Sequence, residues 1–357
     1  MILAGDIGGT KTRLALFDWK DERVEAQTEQ VYISTDYTSF EDILSEFLNP
    51  PQPEPVESSE PDELSLHALP SLPEAQLKEL LKIDAACIGV AGPVIENRCQ
   101  TTNLPWLLDG DALAKRFDIP TVRLLNDLEA TAHGLLELRP GETTALNAGT
   151  VPSHKRPIAL IAAGTGLGEA ILYWDGMEYR PMPSEGGHAD FAPNSDLEID
   201  LLRHLRASYL HVSWERVLSG PGLHAIYEFL RDTKRNEPTW MAERIQVEDP
   251  AAVIAEVGLK KQADIGVQAL DLFASIYGAE AGNLALKSMS LSGVYLGGGI
   301  APKLLAKLQD GSFMRGFTNK GRYKKLMSSI PVRVIVNDRA GLIGAASVAA
   351  KLAKQEC

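Results

Sequence analysis

Cysteine is scarce in this chain of 357 residues, which contains only Cys87, Cys99 and Cys357. Three scattered cysteines are too few for a disulfide framework and lack the paired spacing of a structural zinc site. The sequence also lacks the uninterrupted apolar run of about 20 residues that a membrane span requires. A signal peptide has a basic segment followed by an apolar one, and the first residues of this sequence do not show that pattern. We therefore expect a soluble protein of the reducing cytoplasm with no membrane partner.

Positive charge is in the minority: 35 Lys and Arg stand against 48 Asp and Glu, for a formal net charge of −13. Nucleic acids are bound through clustered basic side chains, so this balance argues against a nucleic-acid partner. It does not argue against a nucleotide, which needs only a few local donors. With 45% hydrophobic and 23% charged residues, the composition is that of an ordinary globular protein, and the length is sufficient for two domains.

The opening stretch supplies the first motif. Apolar runs at residues 2–4 and 14–17 predict two strands, and Gly8 and Gly9 between them predict a tight hairpin turn. Such a turn exposes successive backbone N–H groups that suit phosphate oxygens, and Thr10 adds a hydroxyl donor. An ordinary glycine hairpin is the alternative interpretation.

Asp6 precedes this turn, where its carboxylate could hold a phosphate-bound Mg²⁺, directly or through the waters of the ion. Two other phosphate motifs do not fit. The pair Lys11-Thr12 resembles the end of a Walker A motif, but Thr10 precedes the lysine where that motif has glycine. The spacing G-x-G-x-x-G of a dinucleotide site is also missing. The phosphate prediction therefore depends on a hairpin and not on a helix N-terminus.

Strand and helix patterns alternate along the rest of the chain, which is typical of an α/β fold. Further strands are predicted over residues 85–91, 122–125, 158–162, 170–173 and 332–336, and the stretch 293–300 predicts a strand that runs into three glycines. Helices are predicted over 39–48, 74–82, 108–117, 128–136, 198–208, 265–288 and 341–354. Residues 49–73, rich in Pro, Glu and Ser, predict a mobile surface insertion, with a regulatory or partner-binding role as the weaker alternative.

Asn126 and Asp127 follow a predicted strand and precede a predicted helix. Ligands of open α/β sheets bind outside the carboxyl ends of strands, so a carboxylate there is well placed to act as a general base. Helix capping is the alternative for both residues, and the two roles are compatible.

Three later stretches carry polar groups beside glycines. Gly164-Thr165-Gly166 repeats the strand–turn–strand device of the opening, which predicts two related halves that face each other. Glu185 and His188 flank two glycines that would let the backbone approach a ligand. They could instead form a metal pair, but no further ligands are close in sequence.

Glu215 precedes another glycine-rich turn, with a surface ion pair to Arg216 as the alternative. Gly297, Gly298 and Gly299 end a predicted strand and would let an adenine or ribose lie against the backbone. A tight turn that needs positive φ is the alternative for these glycines.

Together, and in this order, the motifs resemble those of the hexokinase-type bacterial glucokinases, within the actin-like ATPase superfamily. The resemblance covers nearly the whole chain. Its motifs are residues 5–10, 125–127, 164–168, 185–188 with 190–194, 215–222 and 297–299.

The resemblance implies an α/β, two-domain actin-like ATPase (ribonuclease H-like) fold with an interdomain cleft. A small domain would comprise residues 1–137 and 337–357, and a large domain residues 138–336. The implied reaction is ATP-dependent phosphorylation of D-glucose to glucose 6-phosphate, with ATP and Mg²⁺ as cofactors and a homodimer as the assembly.

The resemblance also implies a role for each matching residue. Asp127 matches the catalytic base, which accepts the proton of the sugar 6-hydroxyl. The implied glucose ligands are Asn103, Asn126, Asp127, Glu185, His188 and Glu215. The implied nucleotide-binding residues are Gly5, Asp6, Ile7, Gly8, Gly9, Thr10, Gly164, Thr165, Gly166, Gly297, Gly298 and Gly299, with Asp6 near Mg²⁺ through water.

Two alternatives remain at this point. One is a kinase for another hexose or an amino sugar, because one altered lining residue can change the preferred sugar. The other is a non-enzymatic sugar sensor on the same fold. A kinase releases ADP when its preferred sugar is added, whereas a sensor releases none, so ADP release measured with different sugars distinguishes these alternatives.

Overall fold

The computed structural model describes residues 1–20, 23–49, 82–102, 104–234 and 236–355. Most of the predicted insertion over 49–73 and of the predicted helix over 74–82 lies outside the described residues, as does Asn103. The chain divides into unit 1, Met1–Glu137 with Gly341–Cys357, and unit 2, Leu138–Ala340. The second break lies four residues beyond the predicted one, and Asn337 belongs to unit 2, where its amide donates to Glu142 Oε1 (2.7 Å).

Unit 1 is built on a mixed sheet, and its described strands run in the order β3-β2-β1-β4-β7. Its strands are β1 (Ile2–Ile7), β2 (Lys11–Lys20), β3 (Arg23–Ile33), β4 (Ala85–Val90), β5 (Arg98–Gln100), β6 (Leu107–Asp109) and β7 (Val122–Asn126). Its helices are α1 (Phe40–Leu48), α2 (Gly110–Phe117), α3 (Asp127–Leu135) and the C-terminal helix Ala340–Gln355, whose first residue belongs to unit 2. Strands β1, β2 and β3 are antiparallel, whereas β1, β4 and β7 are parallel.

Strand β1 is covered on both faces. Leu3 and Ile7 contribute to the core that includes helix α1, whereas Ile2 and Ala4 pack in the cluster of the C-terminal helix. Small residues on that helix allow close approach: a Cβ at Gly344 would lie 1.8 Å from Ala130 O of α3. The helix predicted over 341–354 is thereby confirmed.

Unit 2 repeats the plan of three antiparallel strands followed by parallel ones, with the described strands in the order β11-β10-β9-β12-β13-β8. Its strands are β8 (Thr143–Asn147), β9 (Ile158–Ala163), β10 (Leu167–Trp174), β11 (Tyr179–Ser184), β12 (Gly293–Gly297) and β13 (Val332–Ile335). Its helices are α4 (Asp196–Leu205), α5 (Gly220–Lys234), α6 (Thr239–Val247), α7 (Pro250–Leu259), α8 (Asp264–Ser288), α9 (Ile300–Lys303), α10 (Leu305–Leu308), α11 (Ser312–Thr318) and α12 (Lys324–Ser329). The shared strand plan supports the predicted relation between two halves.

Helix α8 is the central helix of unit 2 and matches the prediction over 265–288. Its residues Phe273 and Tyr277 are fully buried, and a Cβ at Gly278 would lie 1.9 Å from Phe313 O of α11. Most faces of α8 are therefore apolar because the helix is surrounded by other elements.

The predicted helix over 108–117 is wrong at its start. Leu107–Asp109 form strand β6, which pairs with β5, and the helix begins only at Gly110. Asp109 accepts from the N–H groups of Asp111 and Ala112, so it caps the helix instead of belonging to it. Across the described residues, no helix combines the length and apolar character needed to cross a membrane.

Candidate active site

The first glycine turn, residues 8–10, closes the β1–β2 hairpin as predicted. Gly8 N–H donates to Lys11 O (2.9 Å). Ser34 holds the turn from the side, since its Oγ donates to Gly8 O (3.1 Å) and its N–H to Thr10 O (2.9 Å). Within the described residues, no recorded backbone acceptor engages the N–H groups of Gly9 and Thr10. The turn can therefore offer two successive donors to an anion.

Gly5 and Ile7 have a different environment from the turn. A Cβ at Gly5 would lie 2.8 Å from Ile88 Cδ1 and 2.9 Å from Leu14 Cδ2, so glycine lets neighbouring strands pack closely. Ile7 is 1% exposed within the core. Both residues thus position the turn from within β1, and the Ile7 side chain does not line the turn.

Asp6 extends from the face of β1 that is covered by the C-terminal helix. Its Oδ2 would lie 3.3 Å from a Cβ at Gly341, in the first turn of that helix. The N-terminus of a helix carries a partial positive charge, which favours the ionised carboxylate. The Asp6 carboxylate therefore lies just before the first glycine turn and next to a helix N-terminus.

Asn126 and Asp127 lie where β7 ends and α3 begins, as predicted. The Asn126 amide donates to Gly92 O (3.0 Å), and its Oδ1 accepts from Leu128 N–H (2.9 Å). Asp127 Oδ1 also accepts from Leu128 N–H (2.8 Å), and the residue is exposed. Asn126 is thus an N-cap, whereas Asp127 presents a carboxylate in the first turn of α3.

The parallel register brings the carboxylates of unit 1 to one edge of the sheet. Asp6 is paired with Gly89, and Gly89 with Leu125, so β1, β4 and β7 end side by side. Two strand spacings of about 4.8 Å each separate β1 from β7. This carboxyl edge is where open α/β sheets bind ligands.

The second glycine turn, residues 164–166, joins β9 to β10 in unit 2. Gly164 N–H donates to Gly166 O (2.9 Å), and Gly164 O accepts from Gly220 N–H (2.8 Å) at the start of α5. Thr165 is exposed at the tip of the turn. The turn is therefore fixed at both ends while its central hydroxyl faces solvent.

Glu215 packs directly against this turn. Its Oε2 accepts from Leu167 N–H (3.1 Å), and a Cβ at Gly166 would lie 2.5 Å from the same oxygen. Only glycine leaves space for the carboxylate at this point. Arg216 stacks over the Tyr209 ring, with its Cζ 4.4 Å from the ring centroid, so the geometry favours a site role for Glu215 over the alternative of an ion pair with its neighbour.

The three glycines after β12 lie beside the second glycine turn, because β12 is parallel to β9 and pairs Gly297 with Ala162. Gly298 has φ +76°, and a Cβ there would lie 2.3 Å from Ala163 O. The tight-turn interpretation therefore holds at Gly298. At Gly299, a Cβ would meet nothing within 4 Å, which leaves open backbone surface.

Glu185 precedes a 3-10 helix, Gly186–His188, and His188 is its last residue; residues 185–188 are here called the 185–188 turn. Glu185 Oε2 and His188 Nε2 are 3.8 Å apart, and both side chains are exposed. A Cβ at Gly187 would lie 2.0 Å from Leu167 O. The sequence predicted that Gly186 and Gly187 let a ligand approach the backbone. In the structure, the absence of side chains at these two residues lets the turn pack closely against strand β10.

A cavity of about 350 Å³ in unit 2 brings two of the candidate sugar ligands together. His188 and Glu215 both line it, with Tyr209, His211 and Arg216 among the other lining residues. His211 Nε2 lies 2.8 Å from Asp190 Oδ1. The cavity thus combines carboxylate and imidazole groups that can bind the hydroxyls of a polyol.

The residues present fit a magnesium ion that is carried by phosphates. Among the described residues, no three His, Cys, Asp or Glu side chains cluster as the ligands of a protein-bound metal would. Mg²⁺ bound with a nucleotide needs less, because it keeps several waters and uses one or two carboxylates together with phosphate oxygens. Asp6, at the edge of the sheet, supplies such a carboxylate.

Sequence reasoning missed Ser34 and the residues before Glu215. Ser34 directly follows the unpredicted strand β3, and besides its contact to Gly8 its Oγ lies 3.0 Å from Thr12 Oγ1. Tyr209 and His211 precede the motif of Glu215 and line the cavity. Their position just before that motif was the only available signal.

Comparison with known proteins gives concordant matches over nearly the whole chain. The family model described as Glucokinase matches residues 3–352. A glucokinase of Nostoc punctiforme is 40% identical over 367 residues, covering 99% of each sequence. The crystal structure of a glucokinase from an Antarctic psychrotroph superposes with a TM-score of 0.79 at 27% identity, covering 98% of each chain. A ROK family glucokinase from Streptomyces griseus, crystallised with glucose and AMPPNP, gives 0.61 at 21% identity, covering 98% of this chain and 99% of that one.

Proposed function

The chain belongs to the glucokinase family, and from that membership we infer that it phosphorylates D-glucose with ATP to give glucose 6-phosphate. Its fold is the two-domain α/β fold of these sugar kinases. We propose further that Asp127 is the general base of the reaction and that the residues discussed below bind the two substrates.

The observation that carries the base assignment is the location of Asp127. Its exposed carboxylate lies in the first turn of α3, at the carboxyl end of β7. The N-terminus of a helix favours the ionised form of a carboxylate, which is the form that accepts a proton. On the same edge lie Asp6 and the first glycine turn, the groups proposed for Mg²⁺ and phosphate.

The proposed chemistry is phosphoryl transfer, in which a protein mainly positions the reactants and stabilises charge. Asp127 accepts the proton of the 6-hydroxyl while that oxygen attacks the γ-phosphorus of ATP, and ADP leaves. The N–H groups of Gly9 and Thr10 donate to phosphate oxygens in unit 1. When bound near Asp6, Mg²⁺ neutralises charge on the phosphates.

In unit 2, the second glycine turn and Thr165 are proposed to bind phosphate oxygens, and the open backbone at Gly299 to bind the adenosine. Glu185, His188 and Glu215 are proposed to bind glucose hydroxyls. Carboxylates suit a polyol because each accepts more than one hydroxyl proton. Such a polar site discriminates against a sugar that leaves one of these groups unpaired.

Asn126 is also proposed to bind a glucose hydroxyl, but only part of its side-chain amide is available for this. One of its N–H groups and its Oδ1 are already used, by Gly92 O and Leu128 N–H respectively. The second N–H of the amide remains for a hydroxyl oxygen.

The role of Asn103 rests on the resemblance alone. The homodimer and the cytoplasmic location also stay predictions, and light scattering on the purified protein tests the assembly.

The first experiment measures ADP release with Mg²⁺-ATP and a panel of sugars: glucose, mannose, fructose, galactose and N-acetylglucosamine, with a blank that lacks sugar. We expect glucose to give the strongest turnover. Preference for another sugar would overturn the substrate. Absence of sugar-dependent turnover in folded protein that binds ATP would favour a sensor.

The base assignment is tested with Asp127→Ala. We expect kcat to fall by about 10²–10⁴-fold, the usual contribution of a general base, while the KM for glucose changes much less. The matched control is Asp111→Ala, which removes an exposed aspartate from the first turn of α2 in the same unit. Near-normal turnover of Asp127→Ala would refute the assignment.

A further inference from the structure

Unit 2 buries two carboxyl groups that the proposed mechanism does not use. Glu169 of β10 is 2% exposed and Glu280 of α8 is 0% exposed. A buried carboxylate is costly unless it is paired or becomes neutral. Their presence beside the candidate sugar ligands therefore calls for a function.

Glu169 lies directly behind the 185–188 turn. A Cβ at Gly186 would lie 2.1 Å from Glu169 Oε2, so the carboxyl touches the backbone between Glu185 and His188. Ser184 connects the same elements, because its Oγ donates to Glu169 O (3.2 Å) and accepts from Gly186 N–H (3.2 Å). The Glu169 carboxyl therefore packs against the turn, and Ser184 links the turn to the backbone of β10.

Glu280 approaches from helix α8 and is anchored there. Asn283 Nδ2 donates to its Oε2 (2.8 Å), and Lys287 Nζ lies 3.7 Å from its Oε1. Lys320, whose Nζ donates to Asn283 Oδ1 (2.6 Å), adds positive charge nearby. The anionic form is therefore better supported at Glu280 than at Glu169.

The Glu169 and Glu280 carboxyls interact with each other, and each has one oxygen to which a shared proton would give a partner. Among the described residues, neither Glu169 Oε1 nor Glu280 Oε1 has a hydrogen-bond donor. Burial and the nearby Glu280 carboxyl raise the pKa of Glu169 to about 8. Burial also raises the pKa of Glu280, against the lowering effect of Asn283 and Lys287. A protonated Glu169 that donates to an ionised Glu280 satisfies both oxygens.

Tyr277 is the remaining titratable group that faces the pair from α8. Its hydroxyl donates to Ile161 O (3.3 Å), and burial raises its pKa, with a smaller contribution from Glu169. It therefore stays neutral in the range where Glu169 titrates.

We propose that Glu169 and Glu280 share one proton and hold the 185–188 turn in its sugar-binding position, so that loss of this proton weakens glucose binding and leaves ATP binding unchanged. Two adjacent buried anions repel each other, and the Glu169 carboxylate then moves against Gly186. Glu169 and Glu280 are positioning residues and do not contact the sugar. The inference rests on the proposed role of Glu185 and His188 as glucose ligands.

The test measures kcat and the KM for each substrate from about pH 6 to about pH 9.5 in the wild type and in Glu169→Gln. In the wild type we expect the KM for glucose to rise above about pH 8, by up to about tenfold per pH unit for one lost proton, while the KM for ATP does not follow it. Glu169→Gln should lack this rise, because its amide donates at every pH. The control is Glu243→Gln, which alters an exposed glutamate of α6 and should follow the wild type.

The same alkaline rise in Glu169→Gln and in the wild type would overturn the proposal. Glu280→Gln supplies a second variant: it removes the second anion and with it the repulsion, so the alkaline rise in the KM for glucose should be lost in this variant as well. Infrared spectroscopy gives a direct readout: the band of a protonated carboxyl group should be present at neutral pH and missing in Glu169→Gln. An unchanged infrared band would also overturn the shared proton.

Failure of the sugar-ligand assignment gives a different result. If Glu185→Gln and His188→Asn leave the KM for glucose unchanged at neutral pH, the proposed function of the 185–188 turn is wrong. The infrared band still reports whether the carboxyl pair shares a proton, so the two failures are distinguishable.

Discussion

The buried carboxyl of Glu169 makes the stability of the protein depend on pH in a defined direction. Its pKa is raised from an ordinary value of 4.5 to about 8 in the folded state. The folded protein therefore keeps a proton that the unfolded chain releases. The stabilisation is complete below about pH 4.5 and is lost as the pH rises toward about 8, above which the loss levels off.

The magnitude follows from the same difference. Each pH unit between the two pKa values lowers the free energy of unfolding by about 1.4 kcal/mol for one proton. From pH 6 to pH 8, the contribution of Glu169 thus falls by about 2 kcal/mol, a large part of the 5–15 kcal/mol that stabilises an ordinary protein.

The assay is urea unfolding followed by circular dichroism at several pH values, for the wild type and Glu169→Gln. Other titrating groups contribute alike to both proteins, so the difference between their slopes isolates Glu169. We expect the stability of the wild type to fall more steeply from pH 6 to pH 8. Equal slopes would refute a buried, protonated Glu169.

Two further predictions concern the glycine turns. In Gly166→Ala, a Cβ 2.5 Å from Glu215 Oε2 should displace the carboxylate and break its backbone hydrogen bond. At about 1.5–3 kcal/mol for a bond to a charged group, kcat/KM for glucose should fall by about 10–150-fold. Gly164→Ala is the control, since its Cβ would meet nothing within 4 Å, and equal losses in both would contradict the steric argument. Ser34→Ala removes the donor to Gly8 O and should raise the KM for ATP severalfold but not that for glucose in the ADP-release assay. An unchanged KM for ATP would show that the turn needs no support from β3.

The hairpins β1–β2 and β9–β10 could be predicted because their signals are local: an apolar run, a glycine turn and a second apolar run. Strands β3 and β11 were missed for a physical reason. Both lie at the edges of their sheets, where polar residues are tolerated. Strand β11 contains Pro181 and Pro183, which are compatible with an edge strand but argue against a strand when only the sequence is considered.

The α/β class, the order of the motifs and the kinds of groups at the site could be predicted, because glycine turns, apolar periods and residue chemistry are readable over short windows. Which groups touch each other became clear only from the fold. It placed Glu215 against Gly166, Ser34 against Gly8 and Glu169 against both Gly186 and Glu280. These contacts join residues far apart in the chain, and they depend on how strands and helices pack, which no local pattern encodes.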